Sequence, residues 1–323
     1  MILIQTDEYD YHTYILVDYL KHHKIKYQIL NQNVKVEFNN LSQNNNEIDF
    51  EISINNKTIK YSTIASFWFR RYSIFFDNME TIKSHILTKY ADIKQHFKVE
   101  TEGVIEFVDY LLENHKNAIG NYSNRNFNKM IGLEIAKKVG FKIPHNYIVT
   151  KPNDLNKFRK SNTDIITKAI KNQLHLETES NIYKLYTEKV KSNNMIKLHN
   201  RFFPTLFQTQ INKKIELRIF YLLGKCYSMA IFSQNDNQTS VDFRRYNRIR
   251  PNRFIPYKLP KYIENKIKKF MKIANLNTGS LDIIVTKENE YVFLEVNPVG
   301  QFGMVSYPCN YNLETKVAEQ LMN

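Results

Sequence analysis

Cysteine is scarce in this sequence: Cys226 and Cys309 are the two among 323 residues. They lie far apart and match no metal-binding or redox spacing, and a reducing cytoplasm is the simplest location for such a chain. No apolar run approaches the length of a membrane span, so no membrane partner is expected. The opening MILIQTDEYDYHTY lacks a basic region followed by an apolar core and cleavage site, and does not look like a signal peptide. Internal repeats are missing too. Acidic residues are in deficit, with 32 Asp and Glu against 46 Lys and Arg, a net charge of +14. That balance calls for a polyanionic partner or for none. Nucleic acid is the obvious polyanion, helped by 21 Tyr and 21 Phe, but the basic residues are spread along the chain instead of clustering beside an RNA-binding motif. The abundance of Lys, Asn, Ile and Tyr is also what a simple compositional bias would give. An acidic peptide together with ATP would account for the charge equally well.

What is present describes an ordinary soluble protein of two or three domains, 42% hydrophobic and 24% charged. MILIQT reads as a strand and YHTYILVDYLKHHK carries apolar residues at helical spacing, an opening that suggests an α/β domain with a parallel sheet. Residues 31–60 alternate around an Asn-rich turn and read as a hairpin insertion, followed by the strand IASFWFRRY. Residues 78–116 read as one long helix or two shorter ones. Near NYSNRNFNK a boundary falls, where Asn126 or Asn128 could cap a helix that runs to Val139 and stops at Gly140, with Pro144 beyond. A second segment holds YIVT, a helix over 153–160, DIITKAI and a polar hairpin. The third runs from FPTLFQTQI through the strands ELRIFYLLG and KCYSMAIFS, a basic segment, a helix at 261–274 and a final strand pair.

That final pair, LDIIV and YVFLEVNPVGQFG, couples Asp282 to Glu295 and Asn297. Each strand is expected to place a hard oxygen ligand at its end, and Glu295 and Asn297, two residues apart, share a face. Such oxygens suit Mg²⁺, which usually binds nucleotide phosphates as well. The alternative is a buried hairpin with a polar rim.

Taken in order, these pieces resemble the ATP-grasp fold over nearly the whole chain: an N-terminal pre-grasp α/β domain (1–120), a central α+β lobe (121–205) and a C-terminal lobe (206–323). Within that superfamily the sequence looks most like the graspetide-forming peptide maturases of the microviridin-ligase type, in their grasp-with-spasm subgroup. FWFRR at 67–71 and LEVNPVGQFGMVSYPCNYNLE at 294–314 carry the narrower match. The resemblance implies that Lys129 contacts the nucleotide and that Lys168, ending DIITK, is a second lysine on the phosphates. It implies an adenine-holding hinge in FQTQI, through backbone groups near Gln208, Thr209, Gln210 and Ile211. Glu216 is implied on the ribose, with an ion pair to Arg218 as its alternative. Arg218 and Arg244 are implied on the triphosphate, where guanidinium forks suit charge stabilisation. Each lysine or arginine alone would more often be a surface charge.

The same resemblance implies ATP with one or two Mg²⁺ ions held by Asp282, Glu295 and Asn297. The implied reaction turns an Asp or Glu side chain of a ribosomal precursor peptide into an acyl-phosphate. A Ser or Thr hydroxyl or a Lys amine of the same peptide then closes an ester or amide ring. A leader segment of that peptide would bind near KLHNRFFPTLF (197–207), and relatives suggest a homodimer. Two departures stand out: AIKNQLHLETES, where a Gly-rich phosphate loop is expected, has no glycine, and Thr209 replaces an acidic hinge residue. Arg70 or Arg71 could receive a substrate carboxylate bidentately, or form an intramolecular salt bridge. The rival readings are a glutamate-adding or other carboxylate–amine ligase using the same ATP site, and a basic nucleic-acid-binding module.

Overall fold

Ile2, Leu3 and Ile4 begin the chain as an unbroken apolar run, and in strand β1 (Ile2–Gln5) every residue is buried. A strand reads this way when it is covered on both faces, as in parallel sheets. The computed structural model describes all residues except 78–90, 163, 172–174, 179–180, 192–198, 235, 237, 246 and 248. It divides into two compact units, Met1–Arg125 with Asn312–Asn323, and Asn126–Tyr311.

In the first unit β1 leads to helix α1 (Tyr11–His22), which buries Thr13, Leu16, Val17 and Leu20, the stripe of an amphipathic helix. Strand β2 (Tyr27–Leu30) follows. The expected insertion is a three-stranded antiparallel sheet, β3 (Val36–Gln43), β4 (Ile48–Ile54) and β5 (Lys57–Lys60). Phe50, Ile52 and Ile54 alternate into the core. Asn55 and Asn56 take the left-handed conformations that a tight hairpin turn requires. Then come β6 (Ser66–Phe69), α2 (Ala91–Glu113) and β7 (Ala118–Ile119). The parallel sheet has the order β2-β1-β6-β7. Of the expected helical stretch 78–116, residues 78–90 lie outside the described residues.

The second unit opens with α3 (Lys129–Lys138). Asn128 is its cap, accepting from the Met130 and Ile131 amides. Next are β8 (Asn146–Val149), α4 (Pro152–Lys160), β9 (Ile165–Lys168), the hairpin β10 (His175–Glu177) and β11 (Ile182–Lys184), then β12 (Glu188–Lys189) and β13 (Thr205–Thr209). Four of these strands form an antiparallel sheet in the order β12-β9-β13-β8. A five-stranded antiparallel sheet follows, from β14 (Lys213–Leu222), β15 (Lys225–Phe232), β16 (Arg253–Pro256), β17 (Thr278–Thr286) and β18 (Tyr291–Asn297), ordered β16-β15-β14-β17-β18. Helix α5 (Lys261–Ile273) precedes β17 and buries Ile263, Ile267, Phe270 and Met271.

Side-chain alternation decides where the chemistry lies. Leu133 and Ala136 of α3 and the apolar face of α5 share one core with Ile215, Leu217 and Ile219 of β14 and Leu281, Ile283 and Val285 of β17. Glu216, Arg218 and Asp282 therefore belong to the opposite face. Strict alternation would turn Glu295 toward the same side as Phe293, which is buried in that core. The register skips one residue at this place: Ile283 pairs with Phe293, but Asp282 pairs with Glu295. This β-bulge re-aims Glu295 and Asn297 to the polar face, a use of bulges common beside functional sites.

After the short helix α6 (Gly303–Ser306) the chain returns to the first unit as α7 (Leu313–Met322), which the sequence division placed with the third segment. There Glu314 Oε1 lies 2.8 Å from His12 Nδ1, and the Ser66 hydroxyl donates to the Leu321 carbonyl. Among the described residues no helix is long and apolar enough to cross a membrane.

Candidate nucleotide and metal site

The polar face of the five-stranded sheet carries a half-buried charge cluster. Asp282 lies in the middle of β17, not at its end as the pattern suggested, and Arg218 of the neighbouring β14 stands directly opposite it. Arg218 Nη1 donates to both Asp282 oxygens, at 2.8 and 2.7 Å. Lys129, at the start of α3, reaches Glu295 Oε2 at 2.8 Å and the Ala169 carbonyl at 3.0 Å. Lys168, at the end of β9, lies within electrostatic reach of Glu295, Lys129, Asp282 and Arg244.

Burial lowers the Lys168 amine to about 8, with Glu295 opposing and Lys129 reinforcing the shift. Burial pushes the Glu295 carboxyl upward, but Lys129 and Lys168 outweigh it and hold the group at about 2. Asp282 is raised, chiefly by burial and by Glu295, against the pull of Arg218. Four cations thus meet three carboxylates, Asp282, Glu295 and the Asp242 that Arg244 forks onto. The local surplus of positive charge, in a setting of reduced dielectric, suits a polyanion of phosphate class.

Glu216 is not paired with Arg218. It accepts from Lys213 Nζ at 2.5 Å and from the Ser233 hydroxyl at 2.8 Å. Burial nevertheless holds its carboxyl above the usual range. Arg244 forms a fork on Asp242, which is itself buried. Lys213, Ser233 and Asp242 were missed in the sequence, although Asp242 stands two residues before Arg244 and Lys213 three before Glu216.

In FQTQI, Gln208 is buried and donates through Nε2 to Asn146 Oδ1, while the Thr209 hydroxyl accepts the His145 amide at 3.1 Å. The amides of Thr209 and Gln210 go to the His145 and Asp164 carbonyls. Ile211 is the first residue past that ladder. The Gln210 Oε1 atom is buried and has no hydrogen-bond partner. On the glycine-free stretch, 172–174 and 179–180 lie outside the described residues, as do 197 and 198 of KLHNRFFPTLF; Phe203 there is 84% exposed.

A hard cation finds a fitting donor set here. Asp282 and Glu295 face each other across two strands, and Asn297 pairs with Ser280 one step along. The Ser280 hydroxyl is fully buried and lacks a partner. All donors are oxygens, as Mg²⁺ prefers. Among the described residues no trio of His, Cys, Asp or Glu could hold a metal; the Asn297 amide oxygen, which accepts the Val299 amide at 3.1 Å, is the next oxygen donor along the strand.

Arg70 and Arg71 lie elsewhere, just past β6 in the first unit. Arg70 is buried against Asp10, with Nε to Oδ2 at 2.8 Å, the intramolecular pair left open in the sequence. Arg71 is partly exposed and stands 3.5 Å from Asp7.

No family model matches the chain, and no curated protein does either. Solved structures do. A Chryseobacterium gregarium RiPP-associated ATP-grasp ligase, in complex with ADP and a leader and core peptide, is 23% identical with a TM-score of 0.80, over 99% of this chain and 96% of that one. The fold is the ATP-grasp fold. The macrocyclase MdnC of Microcystis aeruginosa MRC, bound with precursor peptide MdnA, is 22% identical with a TM-score of 0.75, over 100% and 99% of the two chains. The ATP-grasp ligase PsnB, complexed with a minimal precursor, Mg and ADP, is 14% identical with a TM-score of 0.69, over 99% and 97%.

Proposed function

We propose that the chain is an ADP-forming, ATP-dependent macrocyclase. It activates Asp or Glu side chains of a ribosomal precursor peptide as acyl-phosphates and joins them to Ser or Thr hydroxyls as esters, or to Lys amines as amides. One observation carries this reading: the half-buried cluster in which Lys129, Lys168, Arg218 and Arg244 outnumber Asp282, Glu295 and Asp242. Three solved structures of the same fold, described as a RiPP-associated ATP-grasp ligase with leader and core peptide, a macrocyclase with its precursor peptide and an ATP-grasp ligase with a minimal precursor, support the choice of substrate.

In this reading residues 1–120 are the pre-grasp part, 121–205 the central lobe and 206–323 the C-terminal lobe, apart from its last helix. Lys129 and Lys168 hold phosphate oxygens as compact charges, and Arg244 faces the transferring phosphoryl group. Asp282, Glu295 and Asn297 would hold one or two Mg²⁺ ions, which offset charge on the β- and γ-phosphates. Arg218 orients Asp282 and opposes the rise that burial imposes on its carboxyl. Glu216 accepts the ribose hydroxyls. The backbone near Gln210 and Ile211 meets the adenine, and the unpartnered Gln210 Oε1 suits its amino group, a role the buried Gln208 and engaged Thr209 leave to it. Arg71, the more exposed of its pair, takes a peptide carboxylate, with Arg70 bracing the corner behind it. Both reacting groups sit on one bound peptide, so ring closure is effectively intramolecular and outruns hydrolysis. The leader binds near 199–207, the assembly is a homodimer, and the free cysteines suit a reducing cytoplasm.

Intact-mass measurement of a leader-plus-core peptide incubated with ATP and Mg²⁺ tests this. Loss of one water per crosslink, with matching ADP, is expected. A gain of amino-acid mass would instead identify a carboxylate–amine ligase. Salt-dependent RNA or DNA binding without ATP affinity would replace both. Unchanged turnover after removal of the leader would contradict the leader site.

A further inference from the structure

Asp242 collects four donors in a place almost closed to water, with its side chain 2% exposed. Its Oδ1 accepts the Arg244 amide at 3.1 Å and Arg244 Nε at 2.8 Å. Its Oδ2 accepts Arg244 Nη2 at 2.6 Å and the Thr187 amide at 3.0 Å. A fork-to-fork pair fixes a guanidinium in both position and plane, which a single contact does not. The Arg244 side chain remains 37% exposed beyond this fork. Burial alone would raise the Asp242 carboxyl; the Arg244 fork and the two amides hold it below the ordinary range, so it stays charged.

The fourth donor links two sheets of the second unit. Thr187 directly precedes β12, and β12 pairs with β9, whose last residue is Lys168. The loop itself is tied down from another side: Lys213 Nζ reaches the Val241 carbonyl at 3.4 Å while paired with Glu216. The Thr239 hydroxyl, fully buried, contacts the Ser233 carbonyl and Asn252 Oδ1. Arg245 adds a second tie to the same strand through Glu188. Neither a metal nor a phosphate can reach Asp242, because its four contacts enclose it.

We propose that Asp242 is the positioning residue for Arg244, and that through Thr187 it couples the placement of that arginine to the sheet carrying Lys168. The inference rests on the reading of Arg244 as a γ-phosphate contact. With Asp242 in place, the Arg244 guanidinium is presented in one orientation and only while β12 is docked on its loop. Without it, the arginine keeps its charge but loses its orientation, and the second strand loses its anchor.

The test compares Mg²⁺-dependent affinity for AMPPNP with that for ADP, by calorimetric titration, in the intact chain and in Arg244→Ala, Asp242→Asn and the double variant. Arg244→Ala is expected to weaken AMPPNP about tenfold, the worth of one charge-assisted contact, and to leave ADP nearly unchanged. Asp242→Asn is expected to lose about threefold to tenfold for AMPPNP only, because charge remains but aim is lost. The double variant should match Arg244→Ala alone, since Asp242 acts through that residue. Amide exchange over 185–190 should quicken in Asp242→Asn and not in Arg244→Ala. Losses for ADP and AMPPNP alike, or additive losses in the double variant, would show a merely structural Asp242 and overturn the proposal. An Arg244→Ala chain with full AMPPNP affinity would overturn the γ-phosphate reading itself, and the proposal with it.

Discussion

Asp109 in the first unit is a sealed carboxylate and Glu295 in the second a partly buried one, 26% exposed, and they are driven in opposite directions. Asp109 is 2% exposed, and neither of its oxygens has a hydrogen-bond partner. Burial raises it to about 7, against weaker pulls from Gln5 and Arg125. Glu295, with Lys129 and Lys168 beside it, stays near 2 although burial pushes it up. The arginine–aspartate pairs of the two units differ in the same sense. Arg70 and Asp10 are closed off, at 4% and 4%, whereas Arg218 and Asp282 keep 11% and 18% of their side-chain exposure. The Arg70–Asp10 pair is sealed in and matched one to one, as expected where it holds a corner in place. In the second unit's cluster, four cations meet three carboxylates and keep partial exposure, a surplus that favours a bound anion over the fold itself.

Breaking the two arginine pairs sharpens this contrast most. Arg70→Ala strands the buried Asp10 and should lower unfolding free energy by about 3–5 kcal/mol. Arg218→Ala should cost less in a denaturant titration, because water still reaches Asp282, yet weaken nucleotide binding. Equal losses of stability would erase the distinction.

The next effect concerns pH. Asp109 has its folded value raised from 3.8 to about 7, so its contribution to stability is complete below pH 4 and is lost as pH rises through about 7. Asp109→Asn should remove that slope. It should be the more stable form at pH 8, with thermal melts diverging by at most about 1.4 kcal/mol per pH unit across the window. A smaller effect of opposite sign belongs to Glu295. Its value is lowered from 4.5, so its contribution is present above pH 4.5 and fades as pH falls through about 2. Glu295→Gln should flatten the acid limb and cost about 1.5 kcal/mol at neutral pH.

Much of this arrangement was legible in order along the chain. Asn128 with Gly140 bounded α3 because caps are local chemistry, and Lys168 could be placed at a strand end because DIITK is a short apolar run. The pairing of Asp282 with Glu295 was also visible, since the two runs are close in sequence. What stayed hidden depends on register or on distant partners. The bulge opposite Asp282 and Ile283 changes the face of Glu295 by skipping one residue, and no composition signal marks it. The Asp242 node joins residues 187, 242 and 244, and the Arg70–Asp10 pair joins residues 60 apart in the chain. Helix α7 returns to the first unit through contacts such as His12–Glu314, which separate by 302 residues.

The most direct measurement of the central claim is Mg²⁺-dependent AMPPNP affinity in Glu295→Gln beside Asp109→Asn. At least about a tenfold loss is expected in the first, the usual scale for a metal-site change, and no change in the second. Undiminished affinity in Glu295→Gln, or binding indifferent to Mg²⁺, would contradict it.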